Sequence, residues 1–449
     1  MTAHRRPRSL PTTLFLAGLV AAAALSIGLD AGSRALIRSG LGGLDPAAEV
    51  ALVPAGPRDL APEDLAAARI AWAYFETNTR PETGLVDSVR EFPSTTLWDQ
   101  GGYVFALLAA HRLGLVDDAE LTARADALFG SLGRLPLYKG RIPNKVYNTV
   151  TLEMTDYANT PRPDGIGFSA LDIARLLLAL RAFERLHPDY GDDIRAVIGR
   201  WDLSPMVRDG ELWGATVDPD GTELYGQEGR IGYEQYAARA AALWGLDMSQ
   251  AISARRIVDW DRVSGVPVPV DVRDHTTFLA ITPTLSEPFI LEGLELGLNA
   301  ESRQLAEAVF EAQRARADRT GVPTAVSEDH LDREPWFAYS AVHSNGRDWA
   351  VVDETGRFHP ELRTQSVKAA FGWDALYGTD YTADLRKLLA DLGDPEKGWA
   401  AGRYEATGEP NEVYTLNTNA VVLEAIHYIA FGPFWSLEPA ADGPVFGQN

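Results

Sequence analysis

The sequence predicts an all-α fold, an (α/α)6 toroid of six inner and six outer helices with a small inserted β-hairpin. Two observations predict it. First, six segments open on polar or acidic residues and run directly into Ala- and Leu-rich stretches with few charges: residues 96–103, 164–169, 232–236, 286–289, 366–373 and 416–419. A helix that is apolar nearly all round is buried. Second, amphipathic helices lie between these segments, as an outer layer would. No repeat of short fixed period is visible, which argues against a solenoid. Six inner N-termini would then converge on one rim carrying Asp, Glu, Asn, Trp and Tyr.

The elements follow in order. Residues 40–62 are rich in Gly, Pro and Ala and read as a linker. Helix 1 starts at Pro62-Glu-Asp and carries apolar periodicity over 65–75. Helix 2 covers 99–113 and stops at Gly114, and helix 3 covers 119–132. The loop 133–163 contains Pro136, Gly140, Pro143, Pro161 and Pro163, and is longer than a connector requires. Helix 4 spans 168–186 and helix 5 spans 192–201, followed by turns and short strands over 206–229. Helix 6 spans 233–244. Residues 257–282 are irregular, with Val-Pro-Val-Pro-Val typical of an extended edge. Helices 7 and 8 lie within 287–316, and 322–358 reads as the inserted hairpin. Helices 9 to 12 occupy the remainder to about 430. The organisation is therefore 1–39 signal or anchor, 40–62 linker, 63–432 toroid and 433–449 tail.

Composition narrows the partners. The formal charge of -22 disfavours nucleic acid and anionic membrane surfaces. There is no cysteine, which excludes disulfides, thiolate nucleophiles and Cys-bound zinc. Histidine is sparse and no His-Glu-x-x-His spacing occurs, so neither a transition metal nor a cofactor is expected, and only a calcium site of Asp, Asn and carbonyl oxygens stays open. At the N-terminus, His4, Arg5, Arg6 and Arg8 precede an apolar run over 14–29. This is the pattern of a signal peptide or short membrane anchor. It predicts export to the periplasm or beyond, with possible attachment to the inner membrane.

A rim of carboxylates, amides and aromatics is suited to binding and cleaving sugars. Glycoside cleavage needs an acid to protonate the leaving oxygen and a base or nucleophile on the opposite face. The candidate catalytic carboxylates are Asp99, Asp164, Glu234, Glu287 and Glu405. Asp99 lies between Trp98 and Gln100, Glu234 follows Gly232-Tyr233, and Glu287 precedes Pro288. Asp164 sits on the loop into helix 4, with Asp172 one turn inside it. Glu405 lies in Gly-Arg-Tyr-Glu-Ala-Thr-Gly. Each also has a structural reading, as a helix cap, a first-turn acid or a surface ion pair. Candidate substrate-binding residues are Trp98, Gln100, Tyr233, Trp336, Lys368, Trp373, Tyr404, Asn417 and Asn419.

Further along, the chain carries Ser-Glu-Asp-His-Leu-Asp-Arg (327–333), Ser-Val-Lys-Ala-Ala-Phe-Gly-Trp (366–373) and Gly-Arg-Tyr-Glu followed by Leu-Asn-Thr-Asn-Ala-Val-Val-Leu-Glu-Ala (402–425). With 95–103 and 232–245, these segments resemble the bacterial "domain of unknown function 3131" family from about residue 67 to 428. The resemblance implies an exported protein whose toroid is similar to glucoamylase-type glycoside hydrolases and to endo-β-glucanases acting on bacterial glucans. It also adds Glu328, Asp329 and His330 as candidates. The expected function is therefore a glycoside hydrolase-like protein acting on a bacterial glucan or exopolysaccharide, with inversion favoured by analogy. The alternatives are a non-catalytic carbohydrate-binding protein in polysaccharide synthesis or export, and a polysaccharide lyase.

Overall fold

The structure, a computed structural model, describes Leu44 and residues 51–218, 220–273, 275–278 and 280–435. The expected signal or anchor, the first part of the linker and most of the expected tail lie outside these residues. The longer helices are α1 (Pro62–Asn78), α2 (Leu97–Arg112), α3 (Asp118–Leu132), α4 (Ala170–Leu186), α5 (Gly191–Ile198) and α6 (Tyr233–Ala242). They continue with α7 (Glu287–Leu291), which runs on into a π-helical turn (Glu292–Leu296), α8 (Ala300–Thr320), α9 (Val367–Tyr377), α10 (Asp380–Leu388) and α11 (Leu416–Phe431).

Six of these helices close a circuit. Helix α2 packs on α4, α4 on α6, α6 on α7, α7 on α9, α9 on α11, and α11 returns to α2. Five of them begin within the polar segments, and α4 begins directly after its segment 164–169. Their apolar bodies form one continuous buried core. Glycines allow close approach: a Cβ on Gly101 of α2 would meet the backbone nitrogen of Leu176 in α4 at 3.0 Å, and one on Gly372 of α9 would meet Ile290 Cγ2 of α7 at 2.3 Å. Around the circuit, α1 packs on α11, α3 on α2, α5 on α4, α8 on α7 and α10 on α9.

The all-α expectation holds only in part, since 44% of the structure is helical. The described residues also form seven small sheets, and every paired strand is antiparallel. Between α6 and α7, in the stretch read as irregular and extended, the chain forms the hairpin Val258–Val263/Val266–Asp271, and α8 packs on its second strand. The alternating prolines of Val266–Asp271 explain this, since proline cannot sit inside a helix without breaking its hydrogen bonds. The end of the chain holds three helices rather than four. Strands Gly398–Tyr404 and Pro410–Tyr414 take the place of the missing one. Among the described residues, no helix is long and apolar enough to cross a membrane.

Candidate active site

The first turns of the six circuit helices carry Asp99, Asp172, Glu234, Glu287, Lys368 and Asn417. In α2, α4 and α11 the preceding hydroxyl residue caps the helix: Thr96 accepts from the Asp99 N–H, Ser169 from that of Asp172, and Thr415 from that of Thr418. These caps fix where each helix begins, and so set the depth of each polar side chain.

Glu287 and Lys368 form a buried ion pair, and the other carboxylate oxygen of Glu287 accepts from Asn417 Nδ2 at 2.9 Å. Three neighbouring helices are thereby tied at one point. Lys368 Nζ also lies 3.9 Å from Asp329, whose carboxylate takes the hydroxyls of Thr364 and Ser366. Burial pushes Asp329 up to about 8, although Lys368 acts against it. Lys368 fills the space among these carboxylates with its own charge. Glu328 is likewise raised by burial. His330, on the same strand, is half-buried and lies within the fields of Asp99, Lys368 and Glu287.

Asp99 and Asp172 occupy the same position, the third residue, on the adjacent helices α2 and α4. Asp99 Oδ2 accepts from Ser88 Oγ at 2.5 Å and Thr96 Oγ1 at 2.9 Å. Among the described residues, its Oδ1 has no protein donor. Asp172 is half-buried, with Ser169 Oγ at 3.0 Å. Burial and the neighbouring charge of Glu228 push its carboxyl up to about 7, and Asp99 adds to the effect. Glu228 itself accepts the Ala170 N–H at 2.5 Å and is raised by burial. Tyr157 is 66% exposed yet lies within the fields of Asp172, Glu354 and Glu228. Tyr339 shares the fields of Glu328, Glu354 and Asp172. Tyr157 and Tyr339 thus share acidic neighbours at the mouth marked by these helix starts.

Below the helix starts lies a fully buried floor. Arg175, one turn inside Asp172, donates to Asn417 Oδ1 at 2.9 Å, Glu295 at 3.2 Å and Glu424 at 3.1 Å. Tyr236 bonds the other oxygen of Glu295. The Arg175 guanidinium also lies 4.6 Å from the Trp98 ring centroid, and Trp98 meets Tyr233 edge-on at 5.4 Å.

The remaining sequence candidates are placed as follows. Glu234 is buried and bound to Arg273 at 2.6 Å and Gln227 at 3.1 Å. Burial lifts it to about 7, against the pull of Arg273. Glu405 stands apart: it pairs with Arg316 at 2.5 Å and Arg363 at 3.2 Å. Alternation along strand Thr364–Ser366 puts Thr364 and Ser366 toward Asp329, and the preceding Arg363 on the opposite side with Glu405. Asp164 is exposed on its loop beside Lys139 and Glu223. Gln100 spends its amide on Val86 O and Thr95 Oγ1, and Asn419 spends its own on the backbone of Trp399 and Thr415. Trp373 is core, bonding Ser286 Oγ and stacking on Tyr377. Tyr404 is buried and donates to Asp332 at 2.8 Å. Trp336 is 59% exposed.

A family model described as "Protein of unknown function (DUF3131)" matches residues 66–432. The chain belongs to that family. No curated protein matches it. This DUF3131 chain is similar in fold to a Bacteroides caccae protein described as a "putative glucoamylase" (15% identity, 83% of this chain and 94% of the other, TM-score 0.59). It is similar also to an endo-β-1,2-glucanase from Chitinophaga pinensis, determined with sophorotriose and glucose (12% identity, 84% and 94%, TM-score 0.55). A third is an endo-β-1,2-glucanase from Talaromyces funiculosus in complex with sophorose (14% identity, 81% and 83%, TM-score 0.54).

Reading residues alone singled out neither the DUF3131 floor (Arg175, Glu295, Glu424) nor Tyr157, Tyr339 and Glu354 at the mouth. The floor did carry a signal. Arg175 and Glu424 are charges inside apolar helices, and such groups must be paired when buried. Glu328, Asp329 and His330 were reached only through the family resemblance.

Proposed function

We propose that this chain is a glycoside hydrolase acting on a glucan, with Asp172 as general acid and Asp99 as general base. The observation that carries the reading is the pairing of two unlike carboxyl groups at equivalent positions on adjacent helices. Asp172 retains its proton near neutral pH because of burial and the charge of Glu228. It can therefore protonate a leaving glycosidic oxygen. Asp99 has one oxygen filled by two hydroxyl donors and, among the described residues, no protein donor on the other, which can therefore take the proton of an attacking water. We take the outcome to be inversion, in which the base activates a water on the face of the sugar opposite the acid. In this reading the six inner helices are those of an (α/α)6 toroid, with one outer helix replaced by a hairpin. Tyr157, Tyr339 and Trp98 offer ring faces to sugars, and Asn417 and Lys368 hold the far side of the cleft.

The test is incubation of the full-length chain with β-1,2-glucan and a panel of other bacterial glucans and exopolysaccharides. Oligosaccharide masses and the anomer first released are then recorded. New oligosaccharides of inverted anomer, lost in folded Asp172→Asn and Asp99→Asn variants, are expected. Product that survives both substitutions refutes the pair, and unsaturated product assigns a lyase. One observation favours a second reading, sugar binding without cleavage: Glu234 and Glu287 are both consumed by buried cations. That reading predicts that oligosaccharide raises the melting temperature with no product formed. We further propose that the run over 14–29 directs export. Cell fractionation with antibody to the folded domain tests this, and a cytoplasmic location overturns it.

A further inference from the structure

Apart from the cleft, one set of side chains is arranged as metal ligands. Asp261, His343 and Asp348 come from two different hairpins, and one ligand atom of each lies within 4.8 Å of the others. Asp261 is on strand Val258–Val263. His343 and Asp348 face each other as a register pair in hairpin His343–Ser344/Arg347–Asp348. His343 is only 7% exposed, while both carboxylates face water. Its Nδ1 is buried without a hydrogen-bond partner among the described residues. Its Nε2 lies 3.6 Å from Asp261 Oδ2, too long for a hydrogen bond. Asp261 uses Oδ1 on the N–H of Arg262, which leaves Oδ2 aimed at the imidazole.

We propose that Asp261, His343 and Asp348 bind one divalent transition-metal ion, with zinc the reference case, and that the ion staples the two hairpins together. Two ligand atoms each about 2.0–2.1 Å from a shared zinc ion stand roughly 3.4 Å apart in a tetrahedron, close to the His343–Asp261 spacing. Asp348 is exposed and free to rotate inward. Two carboxylates and a neutral imidazole balance a double positive charge, and water completes the coordination. An imidazole nitrogen in the set selects a transition metal over calcium, which takes oxygen ligands. The location gives the staple a purpose. The Thr284 N–H donates to His343 O at 2.8 Å, its carbonyl accepts from the Val342 N–H at 3.0 Å, and its hydroxyl donates to Pro269 O at 2.7 Å. Thr284 lies three residues before Glu287, so both hairpins and the approach to α7 meet at this point.

The test uses the full-length chain, stripped with chelator and titrated with ZnCl2, MnCl2 or CaCl2 by calorimetry and thermal unfolding. We expect one zinc per chain and a rise of about 3–5 °C in melting temperature near saturation. Cobalt should give visible bands of mixed nitrogen and oxygen coordination. Asp348→Asn and Asp261→Asn alter only exposed side chains, and each should weaken zinc at least ~10-fold. His343→Ala should abolish binding, and if it fails to fold, the two Asn variants carry the test. No saturable zinc uptake up to ~100 µM, or uptake unchanged in both Asn variants, overturns the proposal.

Discussion

Replacing Lys368 with Met removes the cation between Glu287 and Asp329 while keeping the length of the side chain. Lys368 is buried, and although burial acts against its charge, Glu287, Glu328 and Asp329 hold its ammonium well above the ordinary lysine range. Without it, Glu287 retains only the Asn417 amide. Removing one partner of a buried pair costs about 3–5 kcal/mol, because the other charge is stranded. The sign of the pH dependence follows. A stranded carboxyl has its folded pKa raised above the unfolded value, so the folded state holds the extra proton and stability rises as pH falls. One such group returns about 1.4 kcal/mol per pH unit, or roughly 2–3 kcal/mol between pH 7.5 and 5.5. Urea unfolding followed by tryptophan fluorescence measures this. Lys368→Met should be about 3–5 kcal/mol less stable than the parent at pH 7.5 and regain roughly 2–3 kcal/mol of that by pH 5.5. The double variant Lys368→Met/Glu287→Gln should recover most of the loss, since the stranded Glu287 charge is gone and burial favours the neutral form of Asp329 and Glu328. A loss under ~1 kcal/mol at pH 7.5, with parallel pH curves, would refute the reasoning.

Other outcomes are expected. If Asp172 is the acid, kcat/KM should fall as pH rises through about 7. Glu228→Gln removes a repelling charge, so it should lower the Asp172 pKa and move that limb to more acidic pH. An unmoved limb in the pH–rate profile would count against the assignment. Glu405→Gln should cost about 1–3 kcal/mol in urea unfolding, because Arg316 and Arg363 lose their partner, and leave kcat of the folded enzyme unchanged. Gly372→Ala drives a methyl into Ile290 and should destabilise by about 1–3 kcal/mol in thermal unfolding.

What was legible in the sequence was local. The six polar helix starts were readable because a cap and a first-turn acid are neighbours in the chain, as at Thr96 with Asp99 and Ser169 with Asp172. The bodies of α1 to α6 were readable because apolar periodicity over eight or more residues is a strong signal. Strands of two or three residues, such as Ile142–Pro143 or Glu328–His330, are too short to show a period, so most of the small sheets were not foreseen. The fate of each carboxylate depended on distant partners. Glu405 meets Arg316 on α8, and Asp329 meets Thr364 and Ser366 on another strand. Gln100 and Asn419 looked like sugar ligands because nothing local shows that a backbone group will claim a buried amide.

The π-helical turn that continues α7 sets the phase of that helix. Glu287 and Glu295 lie eight residues apart on one helix, yet Glu287 meets Lys368 at the rim and Glu295 meets Arg175 in the floor. In uninterrupted α geometry, at 3.6 residues per turn, positions eight apart point about 80° away from each other. Five residues wound more slowly, at roughly 4.4 per turn, bring the two side chains nearly back into line. The wider turn therefore acts as a gear, letting a single helix address both storeys of the axis. Uninterrupted α winding of the same eight residues would turn Glu295 about 80° away from the axis and off Arg175, so the wider turn is what keeps the floor hooked to the rim.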